Sequence, residues 1–394
     1  MRAMRSLLVL ATPVCLAALC TVIPSAQSGS ADSYTRYELL DPATSSIRIT
    51  EDVSATTAGA RVYVERLSPG SQATGISVID RLTGQPLTFE VVENELRVQL
   101  ARPVPKGGET RLRISKTSRE PRVYGATGTE IEFQRPLGGV RNAIVLPEGY
   151  EILSSNVPSQ VIEEADGRLM LSHWQTGPTA PWIALRARQR PAPSAAAKAP
   201  PVTSAPVMTP GTPATSARNE LANLRITERA VQDREIVYFL QQPETHSFRL
   251  YHDYTESRPG VATYRNVVRG GSSVSDPSAV LLDTGESLRV ETVKEGDAVV
   301  VVIHFPAIEA GRSSRLRITE TYTDAGRYGL VDGQLVWNRN FGRPANDVVL
   351  PEGWYLTDSA IPGVISTEPD GRTRVAFINP RPDSIDVVLK ARRR

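Results

Sequence analysis

The feature that most constrains the fold is an internal repeat. The phrase "NAIVLPEGY" at Asn142 returns as "NDVVLPEGW" at Asn346, an offset of 204 residues. Earlier in the chain, "DPATSSIRI" at Asp41 returns as "QPETHSFRL" at Gln242, an offset of 201. The matches keep their order, and one net insertion accounts for the change of offset. We interpret the chain as a tandem duplication, so the two copies should share one fold.

Within each copy the apolar residues alternate with polar ones. In "ARVYVERL", Val62 and Val64 lie on one face of an extended chain and Tyr63 on the other. "ELRVQL" and "TRLRIS" alternate in the same way, and turn phrases such as "LTGQP" and "DTGES" separate the runs. Half-buried strands without amphipathic helices between them predict an all-β fold. We expect two tandem homologous antiparallel β-sandwich domains, or barrel-like domains, joined by a Pro/Ala-rich linker.

The repeated phrase "VLPEG" is predicted to be a turn. Pro147 fixes φ near the helical value, and Gly149 adopts a positive φ at little cost. This is the pattern of a three-residue hairpin loop between "NAIVL" and "YEILSS". Asp166 and Gly167 likewise suit a tight hairpin. The repeated phrase would then reflect a backbone geometry that both copies need. The alternative is that these loops form a paired binding surface.

Composition marks the domain boundaries. The N-terminal segment has Arg2 and Arg5 before an apolar run and ends in "AQS", which is typical of a cleaved signal peptide. An uncleaved membrane anchor is the alternative. A stretch rich in proline, alanine and threonine follows the first copy, and such a spacer, if stretched, spans on the order of tens of ångströms. We predict a signal peptide at 1–28, a first domain at 29–189, a linker at 190–220 and a second domain at 221–394.

Charge and cysteine content exclude several classes of function. Cys15 and Cys20 both lie in the leader, so the mature chain would have no disulfide and no thiolate metal site. Without the leader, 43 basic residues would face 43 acidic ones. Proteins that bind nucleic acids usually have a basic excess, so no nucleic-acid partner is predicted. No later apolar run reaches bilayer length, so no membrane span is predicted after cleavage.

No sequence motif indicates catalysis or a bound cofactor. Patterns for zinc peptidases, phosphate-binding loops, dinucleotide-binding loops and serine hydrolases are absent. None of the four histidines recurs as histidine in the other copy; they are His173, His246, His252 and His304. We therefore predict no catalytic residue, no metal ligand and no cofactor.

Aromatic residues provide the one candidate recognition surface. The segment "RLYHDYTESRPGVATYRN" contains Tyr251, Tyr254 and Tyr264. If exposed, these rings would offer a large apolar area with a polar tip to a ligand. The four tryptophans are expected mostly to pack in the cores; they are Trp174, Trp182, Trp337 and Trp354.

The opening of each copy resembles a known family. "YELLDPATSSIRI" is similar to the start of the β-rich N-terminal domains of M1-type metallopeptidases, which also begin with a strand, a turn and a strand. The resemblance is confined to this opening and carries no catalytic motif. Because the zinc-binding H-E-x-x-H is absent, no residue role is carried over. The copies also resemble exported bacterial sandwich modules of unassigned function.

These observations predict an exported, non-catalytic protein that is periplasmic, associated with the cell envelope or secreted. It would bind or scaffold an envelope protein or a glycan, and two tethered modules would permit bivalent engagement. One alternative is an envelope hydrolase of glycan or peptide, with a site of scattered carboxylates in one copy. Another is an accessory module of an exported enzyme.

Overall fold

The computed structural model describes residues 25–26, 33–67, 72–175, 179–191, 235–381 and 383–394. In these ranges the chain forms strands, turns and two short 3-10 helices, Pro42–Thr44 and Pro243–Thr245, with no α-helix. The all-β prediction is therefore confirmed. No helix in the described ranges is long and apolar enough to span a membrane. We call residues 33–191 the first module and residues 235–394 the second module.

The described residues form 28 strands, 14 in each half of the chain. The first half contains β1 (Ser25–Ala26), β2 (Tyr34–Leu39), β3 (Ser46–Ala55), β4 (Val62–Arg66), β5 (Gln72–Asp80), β6 (Phe89–Val92), β7 (Glu95–Gln99), β8 (Thr110–Arg119), β9 (Tyr124–Thr127), β10 (Glu130–Pro136), β11 (Arg141–Val145), β12 (Tyr150–Glu163), β13 (Leu169–Trp174) and β14 (Trp182–Gln189). The second half contains β15 (Glu235–Leu240), β16 (Ser247–Glu256), β17 (Thr263–Val267), β18 (Ser273–Leu281), β19 (Arg289–Glu295), β20 (Ala298–His304), β21 (Ser314–Thr323), β22 (Tyr328–Val331), β23 (Gln334–Phe341), β24 (Ala345–Val349), β25 (Trp354–Ser359), β26 (Gly363–Thr367), β27 (Thr373–Ile378) and β28 (Ile385–Arg393).

The strand pairings of the first module recur in the second. The large sheet of the first module has the order β13-β11-β2-β3-β8-β5, with β11 and β2 parallel and the other neighbours antiparallel. The second module has β27-β24-β15-β16-β21-β18 with the same parallel pair. Smaller sheets have the orders β1-β4-β7-β6 in the first half and β17-β20-β19 and β22-β23-β28-β25 in the second. The ladder β9-β10-β14-β12 is joined to the first large sheet because β12 also pairs with β13, and β26 pairs with β27 of the second large sheet. The two copies thus share one topology, and the predicted domain boundaries stay predictions.

The large sheet of the first module has its core on one face only. Along β8 the inward positions, such as Leu112 and Ile114, are fully buried while their neighbours are partly exposed. In β4 the inward residue is Tyr63, and Val62 and Val64 are half-buried. The large ring enters this core because it removes more apolar surface from water.

A second core cluster continues through both modules. In the second module it is rich in rings, with Tyr238 stacked on Phe341 at 5.6 Å between ring centroids and Phe248 edge-on to Trp337 at 6.1 Å. Trp337 and Trp354 are buried as expected, whereas Trp174 and Trp182 are exposed, contrary to expectation; both exposed rings lie at strand ends.

The repeated turn has the predicted glycine geometry but not the predicted pairing. Gly149 and Gly353 adopt φ values of 79° and 81°. However, β11 pairs with β2 and β13 and not with β12, so the turn joins two sheets and the hairpin prediction is wrong. Local residues set the bend of a turn, while packing decides which strands pair. The predicted hairpin at Gly167 is confirmed, because β12 and β13 pair across it.

The two modules contact each other through β12 and β26. Ser159 pairs with Gly363, and these residues occupy equivalent positions of the two copies. Thr367 Oγ1 also donates to the backbone oxygen of Leu153 at 2.8 Å. An interface in which a position meets its own counterpart has approximate two-fold symmetry.

Side chains around this contact follow the same symmetry. The Arg190 guanidinium lies over the Tyr355 ring at 4.6 Å, and Arg394 Nε donates to Glu151 Oε2 at 2.7 Å. Arg190 and Arg394 are counterparts, as are Glu151 and Tyr355. The side chain of Arg394 is therefore ion-paired at this contact. The two modules therefore pack together and are not held apart by an extended tether. Apart from its first two residues, the linker predicted at 190–220 lies outside the described residues.

Replacing Gly363 by alanine should destabilise the protein at this contact. A Cβ there would lie 2.7 Å from Val375 Cγ1 and 2.9 Å from Phe377 Cε1, both in buried side chains. Overpacking of this kind costs about 1–3 kcal/mol. In urea denaturation, Gly363→Ala should lower the free energy of unfolding, whereas Gly125→Ala, with open space around its Cβ, should change it little. Equal effects of the two substitutions would contradict the close approach.

Candidate functional site

The three tyrosines predicted as a recognition surface do not share one face. Tyr254 is buried and packs against Tyr264 at 4.8 Å between ring centroids, inside the module. Tyr251 lies on the opposite face of β16, because side chains alternate along a strand. Recognition through all three stays a prediction, and Tyr251 is the one that lines an open cleft.

This cleft lies on the outer face of the large sheet of the second module and has a volume of about 490 Å³. A neighbouring hollow of about 310 Å³ shares Gln241 and Arg372 with it and extends it towards Glu352. We call the larger hollow the arginine–aromatic cleft. No lining residue of this larger hollow carries a carboxylate; its aromatic and charged residues are Phe239, Tyr251, Arg249, Arg317 and Arg372.

Strand register brings these side chains together. Phe239 on β15 pairs directly with Arg249 on β16, and Tyr251 pairs with Thr319 on β21. Residues directly opposite each other in an antiparallel ladder project from the same face of the sheet. Three adjacent strands therefore present one continuous outer surface.

The two rings lie side by side in a row across the sheet, with a guanidinium group at each end. The Arg372 guanidinium lies 5.6 Å from the centroid of Phe239, and the rings of Phe239 and Tyr251 are 5.9 Å apart. On the other side, the guanidinium of Arg317 lies 4.2 Å from the centroid of Tyr251. Cation–π contacts of this kind fix ring orientation, so this wall of the cleft is preorganised.

Aspartates outside the cleft hold the two end arginines. Asp253 accepts hydrogen bonds from Arg317 Nε and Nη2 at 2.8 and 2.9 Å. Asp370 Oδ2 accepts a hydrogen bond from Arg372 Nε at 2.7 Å. These partners orient the guanidinium planes and leave part of their donor capacity free for a ligand.

Arg249 is the exposed cation of the cleft. Among the described residues, no acidic side chain forms an ion pair with it. Burial raises the pKa of the nearby Tyr251 phenol, so its hydroxyl remains protonated at neutral pH. A guanidinium and a phenol hydroxyl together can donate hydrogen bonds to an anion.

The equivalent surface of the first module carries different side chains. Glu38, Thr50, Arg48 and Arg168 stand where the second module has Phe239, Tyr251, Arg249 and Arg372. The Glu38 carboxylate forms ion pairs with Arg48 at 3.7 Å and with Arg168 at 3.8 Å. The difference concerns Arg48 and Arg249: Arg48 pairs with Glu38, whereas Arg249 has no acidic partner among the described residues.

The first module has instead a small enclosed polar cavity of about 140 Å³. Lys116 lies there between Glu51 and Glu65 and donates to Glu51 Oε2 at 2.8 Å. The Lys116 side chain is 9% exposed, so a ligand has little access to it. We interpret the cluster as part of the internal packing.

The histidines are not assembled into a site. His304 Nε2 lies 2.8 Å from Glu291 Oε1 on the neighbouring strand, and His252 is buried edge-on against Tyr264 at 5.4 Å. Within the ranges that the structure describes, no group of three or more His, Cys, Asp or Glu side chains is arranged to hold a metal ion.

Comparison with known proteins identifies no family. No protein-family model and no curated protein matches the chain. Among solved structures, an M1 zinc metallopeptidase from Deinococcus radiodurans is 13% identical over 40% of this chain and 41% of that chain, with a TM-score of 0.30. An aminopeptidase N family protein from Idiomarina loihiensis is 8% identical over 39% of this chain and 29% of that chain, with a TM-score of 0.28. The alignments thus span less than half of either chain, and likeness at this level carries no inference about activity.

Stability should depend on pH through Glu65. Burial and the adjacent Glu51 carboxylate raise the pKa of Glu65 to about 7 from its ordinary 4.5. The folded state then binds this proton more tightly than the unfolded state, so the free energy of unfolding should fall as pH rises from 4.5 to about 7. Glu65→Gln should reduce that fall by up to about 3 kcal/mol.

Urea denaturation at several pH values between 5 and 8 measures this effect. Glu148→Gln is the matched control, because Glu148 lies on the exposed turn after β11. Its pH dependence should equal that of the unmodified protein. If Glu65→Gln also leaves the pH dependence unchanged, Glu65 does not titrate in this range.

Proposed function

We propose that this is an exported, non-catalytic binding protein of the periplasm or cell envelope, in which the second module binds an acidic glycan. The leader sequence supports export. The observation that carries the proposal is the arginine–aromatic cleft, where three guanidinium groups and two rings meet with no lining carboxylate. By this proposal the first module supports the second.

The charge of the cleft supports an anionic ligand. Two of its arginines have aspartate partners, and Arg249 adds a positive charge that no described acid neutralises. Charge-assisted hydrogen bonds from a guanidinium to an anion are among the stronger contacts in binding sites. An anionic group against Arg249 would therefore complete the local charge balance.

The architecture favours a glycan over an extended peptide. β15 is paired with β16 on one side and β24 on the other, and β16 is paired with β15 and β21. A peptide could not add as a strand here, because this surface has no free strand edge. The two adjoining hollows form an elongated open groove, with Gln241 and Thr319 available to hydroxyl groups and rings available to the apolar faces of sugars.

The same residues support binding over hydrolysis. Glycoside hydrolysis ordinarily requires two carboxyl groups that face the substrate. Asp253 does not line the cleft, and Asp370 lines only the adjoining hollow, together with Glu352; both aspartates are engaged by arginines. The arginine–aromatic cleft itself therefore lacks the paired carboxylates on which the hydrolase alternative depends.

Replacing Arg249 by alanine should weaken glycan binding. With the full mature chain and polygalacturonate as the probe, we expect a loss of about tenfold or more in affinity, since one charge-assisted contact contributes about 1.5–3 kcal/mol. Binding should also weaken as salt rises. Biolayer interferometry on immobilised protein measures both effects.

The matched control is Arg48→Ala, the same change at the equivalent position of the first module. Because Arg48 is paired with Glu38, its loss should leave the affinity unchanged. Equal affinities of Arg249→Ala and the unmodified protein would overturn the proposal. Binding of poly-glutamate in preference to polygalacturonate would point to an acidic peptide instead.

A further inference from the structure

We infer that the anionic group bound in the arginine–aromatic cleft is a carboxylate, and that it takes the place that the Glu38 carboxylate occupies in the first module. The inference rests on the proposed function and specifies the ligand chemistry of that site. Its basis is that the chain contains the same surface twice, once with an internal carboxylate and once without.

The first module shows how this surface holds a carboxylate. Arg36 Nε donates to Glu38 Oε1 at 2.8 Å, while Arg48 and Arg168 approach Glu38 Oε2 at 3.7 and 3.8 Å. Arg36 lies on β2, Arg48 on β3 and Arg168 immediately before β13, and the Glu38 side chain is only 16% exposed. One carboxylate thus pairs with guanidinium groups from three segments of the chain.

The second module keeps two of these three guanidinium groups. Arg249 and Arg372 are the counterparts of Arg48 and Arg168, and Phe239 replaces the internal carboxylate. Because the strand register is unchanged, these arginines extend from the same positions of the same ladder. Arg372 is held by Asp370, whereas Arg249 has no acidic partner among the described residues, so a carboxylate that pairs with Arg249 would come from outside the chain.

The third guanidinium is retained on a different strand. Arg36 on β2 is replaced by Val237, while Arg374 on β27 stands where the first module has Met170. Arg374 Nη1 donates to Glu368 at 3.0 Å. In the first module Arg36 Nη1 makes the matching hydrogen bond to Glu164, the counterpart of Glu368. The Arg374 guanidinium remains engaged by the chain, so Arg249 and the donors of Arg372 that Asp370 leaves free would hold the ligand.

A carboxylate fits this arrangement better than a sulfate or phosphate ester. The site is formed on a sheet surface where donors flank a flat group, as they flank Glu38. Guanidinium groups also pair with phosphate and sulfate oxygens, so a carboxylate is favoured here because this same surface holds one in the first module. In a uronic acid the carboxylate is attached directly to the sugar ring, so the ring could contact Phe239 and Tyr251 while the carboxylate meets the guanidinium groups.

The test is to return the internal carboxylate to the second module. In Phe239→Glu the new side chain should pair with Arg249 and Arg372 as Glu38 pairs with their counterparts, and polygalacturonate affinity should fall at least about tenfold. Phe239→Gln is the control, because glutamine has the shape of glutamate and no charge. Its affinity for polygalacturonate should fall about threefold, because only the contact with the Phe239 ring is lost. Thermal unfolding of both variants checks that the fold is intact.

Three probes of matched length separate the inference from the proposed function: polygalacturonate, dextran sulfate and neutral dextran. At physiological salt we expect polygalacturonate to bind at least about tenfold more tightly than dextran sulfate. Equal or tighter binding of dextran sulfate, or equal affinities of Phe239→Glu and Phe239→Gln, would overturn the carboxylate inference alone. If neither polygalacturonate nor dextran sulfate binds, both the carboxylate inference and the proposed function are overturned.

Discussion

Antiparallel and parallel pairing determine which side chains share a face of each sheet, and in this protein the same pairing occurs twice. Since the large sheets of both modules have the same order and register, a residue in one module has a counterpart in the same surroundings of the other. Differences at matching positions of the large sheets therefore arise from side chains. The most consequential one is Glu38 in the first module and Phe239 in the second, because Glu38 pairs with Arg48 whereas Arg249 has no acidic partner among the described residues.

The two modules are joined by a contact that resembles that of a symmetric dimer. Equivalent residues Ser159 and Gly363 meet at its centre, and counterpart arginines at its edges make counterpart contacts. A duplicated unit that packs against its own copy buries surface without requiring a new interface. One copy is then free to diverge on its outer face, which is where the arginine–aromatic cleft lies.

Much of the fold follows from the sequence, for physical reasons. Alternation along strands predicts the all-β class, and the positive φ of Gly149 and Gly167 follows from glycine itself. The pairing of β11 does not follow, because a turn sets the direction of the chain locally while packing selects partners across the sheet. The inward position of Tyr63 is likewise a result of tertiary packing.

The candidate site was only partly predictable. The sequence identifies Tyr251 as an aromatic candidate. Tyr251 and Tyr254 lie on opposite faces of β16 because side chains alternate along this strand, which begins only after the cap at His246. Aligning "YELL" with "YFLQ" shows that Phe239 replaces Glu38, and this was the available signal. The consequence of this replacement is visible only in the structure. Ion pairs between residues distant in sequence, such as Glu38 and Arg168, follow no sequence pattern.

We propose that the two matching modules provide one ligand site. Isothermal titration calorimetry of the full mature chain with a short galacturonate oligosaccharide tests it most directly, because the stoichiometry counts sites without altering any residue. We expect one oligosaccharide per chain. Two per chain would show that the first module also binds, and would contradict the account.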